Sequence, residues 1–169
     1  MSWAAGVITG VVFVFAIALL SCRSRHQTDS YDERQIAVRG TAYKAGFLTM
    51  VLCNLIPGIL MAMLDTGFFR KYEMVLFIGS AFLGLTVFAV IAIWKGAYLT
   101  AHQNPVKNLI IVIMVISANA LAAFYKPDWE TPEELFSSVQ GINALIAVFF
   151  LIILAALVLK MIQERRENV

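Results

Sequence analysis

Few side chains in this sequence are of types that do chemistry. The two histidines, His26 and His102, and the two cysteines, Cys22 and Cys53, are the candidate soft ligands and nucleophiles. They make no HExxH, no CxxC and no histidine pair at ligand spacing, so no metal site is expected. Asp32 and Glu33 are neighbours and point to different faces of a helix, which is wrong for a shared acid/base site. Phosphate-binding G-x-x-x-x-G-K-[ST] and nucleophile-elbow G-x-S-x-G patterns are absent as well. No catalytic residue and no cofactor site is expected, and the chain reads as a non-enzyme. Cys22 and Cys53 differ in depth by about 12 Å at helical rise, whereas a disulfide needs Cα atoms within about 7 Å. Both are read as free thiols.

A second polar group lies inside apolar stretches: Asn54, Ser117, Asn119, Gln140 and Asn143. Amides within a bilayer either glue helices together or line a pocket. An Asn54 to Asn119 hydrogen bond between mid-helix positions is the expected glue, worth about 0.6 to 2 kcal/mol. The alternative is a small-molecule or peptide pocket lined by Asn54, Asn119, Gln140 and Asn143. None of the apolar stretches carries an ionisable residue away from its ends, so a buried proton or ion relay is not indicated.

The elements that hold these residues follow from composition. Of 169 residues 60% are apolar and only 14% charged, against about 25% charged in an ordinary soluble domain. Apolar runs long enough to cross a core about 30 Å thick are expected at about 3–22, 45–64, 74–94, 108–124 and 137–159. The expected fold is an all-α membrane protein with five transmembrane helices in a single bundle. The pieces between spans are too short to bury cores of their own, which excludes a soluble catalytic domain.

Basic residues set the orientation. Alternate pieces carry ten and three of the 13 lysines and arginines, so the positive-inside rule predicts the N-terminus outside and the C-terminus in the cytoplasm. Leu19-Leu20-Ser21-Cys22 loosely matches a lipoprotein cleavage box, but no basic n-region precedes the run, and the first helix is expected to be retained. Its Gly6 and Gly10 form a GxxxG that suits close packing, within the bundle or as a homo-oligomer seam. Ser80 and Gly84, with Gly79 adjacent, repeat the small-residue spacing. Pro57-Gly58 predicts a kink in the second span.

The segment 23–44 is longer than a connection requires. Ser30-Tyr31-Asp32-Glu33 is a capping box, so a cytoplasmic amphipathic helix is expected over about 30–44, continuing without a break into the second span. Ile36, Gly40, Tyr43 and Phe47 make its apolar stripe, and Arg34, Gln35, Val38, Arg39 and Lys44 occupy the rest. Asn104-Pro105 predicts another helix start. Thr131-Pro132-Glu133-Glu134 is a second capping box, predicting one helix from there through the fifth span to about Glu164.

Asp32-Glu33-Arg34-Gln35, Arg39-Gly40 and Tyr43-Lys44-Ala45-Gly46-Phe47 together resemble a motif of small polytopic membrane proteins of Gram-positive bacteria. The architecture also resembles membrane-bound inhibitors of DNA-binding regulators, as in LytTR-type systems. The resemblance implies a bacterial cytoplasmic membrane protein that binds a cytoplasmic DNA-binding regulator and sequesters it, without touching nucleic acid itself. Its partner-binding residues would be Tyr31, Asp32, Glu33, Arg34, Gln35, Arg39, Tyr43 and Lys44; the lipid bilayer is a further expected partner, and a second copy through Gly6 and Gly10 another. A small transporter, channel or peptide-toxin immunity protein is the alternative.

Overall fold

The computed structural model describes residues 31–64, 67–98, 105–125 and 129–167. Its helices are α1 (Glu33–Leu64), α2 (Gly67–Trp94), α3 (Pro105–Phe124), the short α4 (Pro132–Ser137) and α5 (Val139–Glu167). No strand occurs among the described residues. Four helices, all but α4, are long and apolar enough to cross a membrane. The expected span at 3–22, with Gly6, Gly10 and Cys22, lies outside the described residues, as do His26, Ser30, His102 and Asn104.

The helices pack in a row. α1 packs on α2 alone among the described helices, α2 on α1 and α5, and α3 on α5, while α4 lies across the ends of α2 and α5. Ala89 and Ile93 of α2, Val112 of α3, and Ile153, Ala156 and Leu157 of α5 form the buried core. α1 buries only Ala42 and Gly46. The reason is a close backbone crossing: a Cβ on Gly46 would sit 2.5 Å from the Gly84 carbonyl oxygen, and one on Gly84 would sit 2.6 Å from that of Gly46. Small residues at a membrane helix crossing let dispersion contacts and backbone dipoles replace the hydrophobic drive that lipid does not supply. Gly79, on another face of α2, is matched instead to Leu145 of α5.

Helix boundaries correct the sequence reading in two places. α1 begins at Glu33, and its cap is Asp32: the Gln35 N–H donates to Asp32 Oδ1 at 2.6 Å and the Ile36 N–H to the Asp32 carbonyl at 3.0 Å. The cap thus falls two residues after Ser30, because Asp at the N-cap satisfies the N3 amide as well as Ser and adds charge opposite to the helix dipole. From there α1 is continuous through Pro57 to Leu64.

The second correction is at Ser138. The single helix expected from Thr131 to about Glu164 is broken there by an extended residue, φ −101° and ψ 166°. Thr131 does cap α4, accepting from the Glu134 N–H at 3.3 Å, while the Glu134 carboxylate reaches back to the Glu130 N–H at 2.8 Å. Ser138 then ends one helix and starts the next: its hydroxyl donates to the Leu135 carbonyl at 2.7 Å and accepts from the Gly141 N–H at 3.3 Å. Gly141 is required at this corner because a Cβ there would collide with the Leu135 carbonyl oxygen.

Candidate functional site

The candidate partner-binding residues gather where α1 begins, at the same end of the bundle as the end of α2. The end of α2 is set by Gly96, whose φ of +68° is open to glycine at no steric cost. Its N–H bonds the Ile93 carbonyl at 3.1 Å, and the Ala97 N–H bonds that of Ala92 at 2.8 Å. This Schellman closure satisfies carbonyls inside the helix and turns those of Gly96 and Ala97 toward α1. Gln35 Nε2 donates to the Gly96 oxygen at 3.1 Å, and Arg39 Nη1 donates to the Ala97 oxygen at 3.3 Å. A cation at the carbonyl end of a helix also suits its dipole.

Aromatic rings complete the clasp. The Arg39 guanidinium carbon lies 4.2 Å from the Tyr31 ring centroid and 5.8 Å from that of Phe88, within cation–π range. Tyr43 stacks on Phe88, with centroids 4.3 Å apart and planes at 20°. Tyr98, beyond the turn, packs against the core. Burial pushes its phenol pKa up, with Tyr31 adding to the rise and Arg39 opposing it.

These contacts divide the eight sequence-selected residues. Tyr31, Gln35, Arg39 and Tyr43 face the end of α2, and Asp32 caps α1. Arg39, expected on the open surface of a collar, is half-buried and bonded to α2. Glu33, Arg34 and Lys44 remain exposed, and Lys95 joins them on the surface at this end. Of the expected apolar stripe, Ile36 and Phe47 are turned outward and more than half exposed, while Tyr43 lays one face of its ring on Phe88. The face that packs carries Gln35, Arg39, Ala42 and Gly46. Gly96, Ala97, Tyr98 and Phe88 were missed by sequence reasoning. Glycine directly after Trp94-Lys95 was the available signal, as a helix stop whose freed carbonyls need donors.

The intramembrane amides do not form one site. Asn54 Nδ2 donates to the Met50 carbonyl at 2.8 Å and to Ser80 Oγ on α2, whose hydroxyl in turn donates to the Phe77 carbonyl at 2.7 Å. Asn119 Nδ2 bonds Val115 of its own helix at 2.9 Å. The expected Asn54 to Asn119 bond is therefore replaced by Asn54 to Ser80, since α1 does not pack on α3. For the same reason Asn54 is not brought together with Asn119, Gln140 and Asn143. Ser117 is exposed and Cys53 is a free, half-buried thiol.

At the other end of the bundle Lys71 Nζ meets Glu133 Oε1 at 2.6 Å, joining α2 to α4. The ammonium's hydrogen bond holds the Glu133 carboxyl below its ordinary pKa. Trp129 packs edge-on against Phe124, with centroids 6.1 Å apart. Among the described residues no three His, Cys, Asp or Glu side chains converge on a point. Compared with known proteins, the chain matches no family model, no curated protein and no solved structure.

Proposed function

We propose that this chain is a non-enzymatic regulatory protein of the bacterial cytoplasmic membrane that holds a cytoplasmic transcription regulator at the bilayer. The observation that carries this is the clasp. Gln35 and Arg39 brace the start of α1 on the end of α2, so Glu33, Arg34 and Lys44 stand on a fixed scaffold at the edge of the apolar region. A preorganised charged face reduces the ordering cost of binding. The resemblance of 32–47 to motifs of small Gram-positive membrane proteins adds support, by analogy and not by site chemistry.

The orientation in this proposal is five spans, with the N-terminus outside and the clasp end in the cytoplasm. Its support is the excess of basic residues in alternate pieces of the sequence. Bringing a regulator to the membrane removes it from DNA by mass action. The contact surface is Glu33, Arg34, Lys44 and Lys95, with Arg39 and Gln35 as its scaffold. A photo-crosslinking residue at Arg34 in intact cells should give an adduct with a soluble DNA-binding protein. Adducts with lipid or membrane proteins alone would contradict the proposal.

A further inference from the structure

The apolar run expected at 74–94 leaves Glu73 outside the membrane, but α2 already begins at Gly67. Glu73 therefore lies about 9 Å along that helix. Facing it across the α1–α2 crossing is Pro57, about 10 Å inside the Leu64 end of α1. Cys53, Pro57 and Met61 of α1 and Glu73, Leu76 and Phe77 of α2 line a cavity of ≈ 160 Å³. Among the described residues no hydrogen bond or ion pair reaches the Glu73 carboxylate, and the neighbouring Lys71 ammonium is bonded to Glu133. A charge set among apolar side chains at the membrane edge is costly alone and marks a site for a cation.

The polar groups of this cavity select which cation. Pro57 has no N–H, so the Cys53 carbonyl lacks its helical donor, and the Asn54 amide is already bonded to Met50 and Ser80. The cavity thus presents acceptors, which suit an ammonium carrying N–H groups. A primary ammonium has three such donors. A quaternary ammonium has none and is held by aromatic cages, whereas among the described residues Phe77 is the one ring lining this cavity.

Two adjoining cavities show what carries the ammonium. One of ≈ 630 Å³ shares Gly58 and Phe77 with the first and runs along Val51, Leu55 and Ile59 of α1, with walls almost wholly apolar. The other, of ≈ 330 Å³, shares Glu73 and Phe77 and is lined by Arg70 and Lys71. Arg70 and Lys71 lie within one helical turn of Glu73, and each has donors beyond a single bond. An anion-binding pair, a carboxylate and an apolar channel therefore meet at Phe77. That is the complement of a phospholipid whose headgroup ends in a primary amine.

We infer that this end of the α1–α2 groove binds phosphatidylethanolamine, with its ammonium between Glu73 and the Cys53 carbonyl, its phosphate at Arg70 and Lys71, and an acyl chain along Val51, Leu55 and Ile59. Native mass spectrometry of the full chain, released from detergent with one lipid titrated at a time, tests it. The probes are dioleoyl phosphatidylethanolamine, phosphatidylcholine and phosphatidylglycerol. The ethanolamine lipid should bind about tenfold more tightly than the choline lipid, as charge-assisted hydrogen bonds to an N–H donor imply. It should also exceed phosphatidylglycerol, which has no cation. Glu73→Gln should abolish the preference for ethanolamine over choline, while Glu130→Gln, at another exposed carboxylate of the same end, should keep it. Equal affinity of the unmodified chain for ethanolamine and choline lipids would overturn the proposal. So would a preference undiminished in Glu73→Gln, or one lost equally in both variants, which would trace it to net charge. Tightest binding of phosphatidylglycerol would reduce the site to its two cations and overturn it as well.

Discussion

Arg39 donates from Nη1 to the carbonyl oxygen of Ala97 at 3.3 Å, 58 residues along the chain, and by that bond the charged start of α1 is fixed to the end of α2. Arg39 also lies under the Tyr31 ring, so a residue that reads as surface charge acts as a strut. Its removal should cost stability. Arg39→Ala is expected to destabilise the detergent-solubilised protein by about 1 to 3 kcal/mol, the range for a charge-assisted hydrogen bond with a stacked ring. Arg39→Lys should recover part of that, since an ammonium keeps the charge without the planar fork. Equal unfolding midpoints for Arg39→Ala and the unmodified chain would remove the strut.

The α1–α2 crossing makes a contrasting pair of expectations. Gly46→Val places a side chain against the Gly84 carbonyl and should destabilise by about 1 to 3 kcal/mol, as overpacking does. Gly40→Ala meets nothing within 4 Å and should be neutral or slightly stabilising, because alanine favours helix by up to about 1 kcal/mol. Thermal unfolding of the two variants side by side checks this, and similar losses from both would contradict the crossing.

The Lys71–Glu133 pair gives a pH dependence of known sign. Glu133 has a lower pKa in the folded chain than when unfolded, so the pair's contribution is complete above the ordinary carboxylate range. It is lost as pH falls through the depressed value. Both groups are on the surface, so the effect is small and screened by salt. In a carboxylate NMR titration, Lys71→Ala should move the Glu133 midpoint up toward the ordinary range. An unchanged midpoint would mean that the pair does not persist in solution.

Much of the architecture was legible because apolar length is a strong signal. The runs at 45–64, 74–94 and 108–124 fall within α1, α2 and α3, and Ser80 and Gly84 face α1 as their spacing suggests. The break at Ser138 was not legible, because Glu133 to Glu164 holds no proline and the corner depends on Gly141 meeting the Leu135 carbonyl across the turn. Pairing of the amides was equally hidden: depth can be counted from sequence, but which helix stands beside which cannot. Arg39 was misread for a related reason. Its partners are backbone carbonyls turned outward by Gly96, and backbone acceptors leave no pattern in side-chain types.

Sidedness is tested by thiol labelling of intact cells with an impermeant reagent, in a background lacking both native cysteines. Glu133→Cys should be tagged and Lys95→Cys protected until the membrane is opened. Both positions are exposed and lie at opposite ends of the bundle, so access reads out the side. Reversed labelling would place the clasp outside the cell and end the case for a cytoplasmic partner.

The most direct test of the proposed function measures transcripts in cells carrying an Arg34→Glu, Lys44→Glu double variant. Both side chains are exposed at the clasp end, so the bundle should assemble at normal membrane levels. A like-charge clash or unpaired charge within an interface costs about 2 to 5 kcal/mol, enough to release a bound regulator. The account predicts that the variant changes the same set of transcripts as deletion of the protein, in the same direction. A variant present at normal levels whose transcripts match those of the unmodified chain, where deletion changes them, would contradict it.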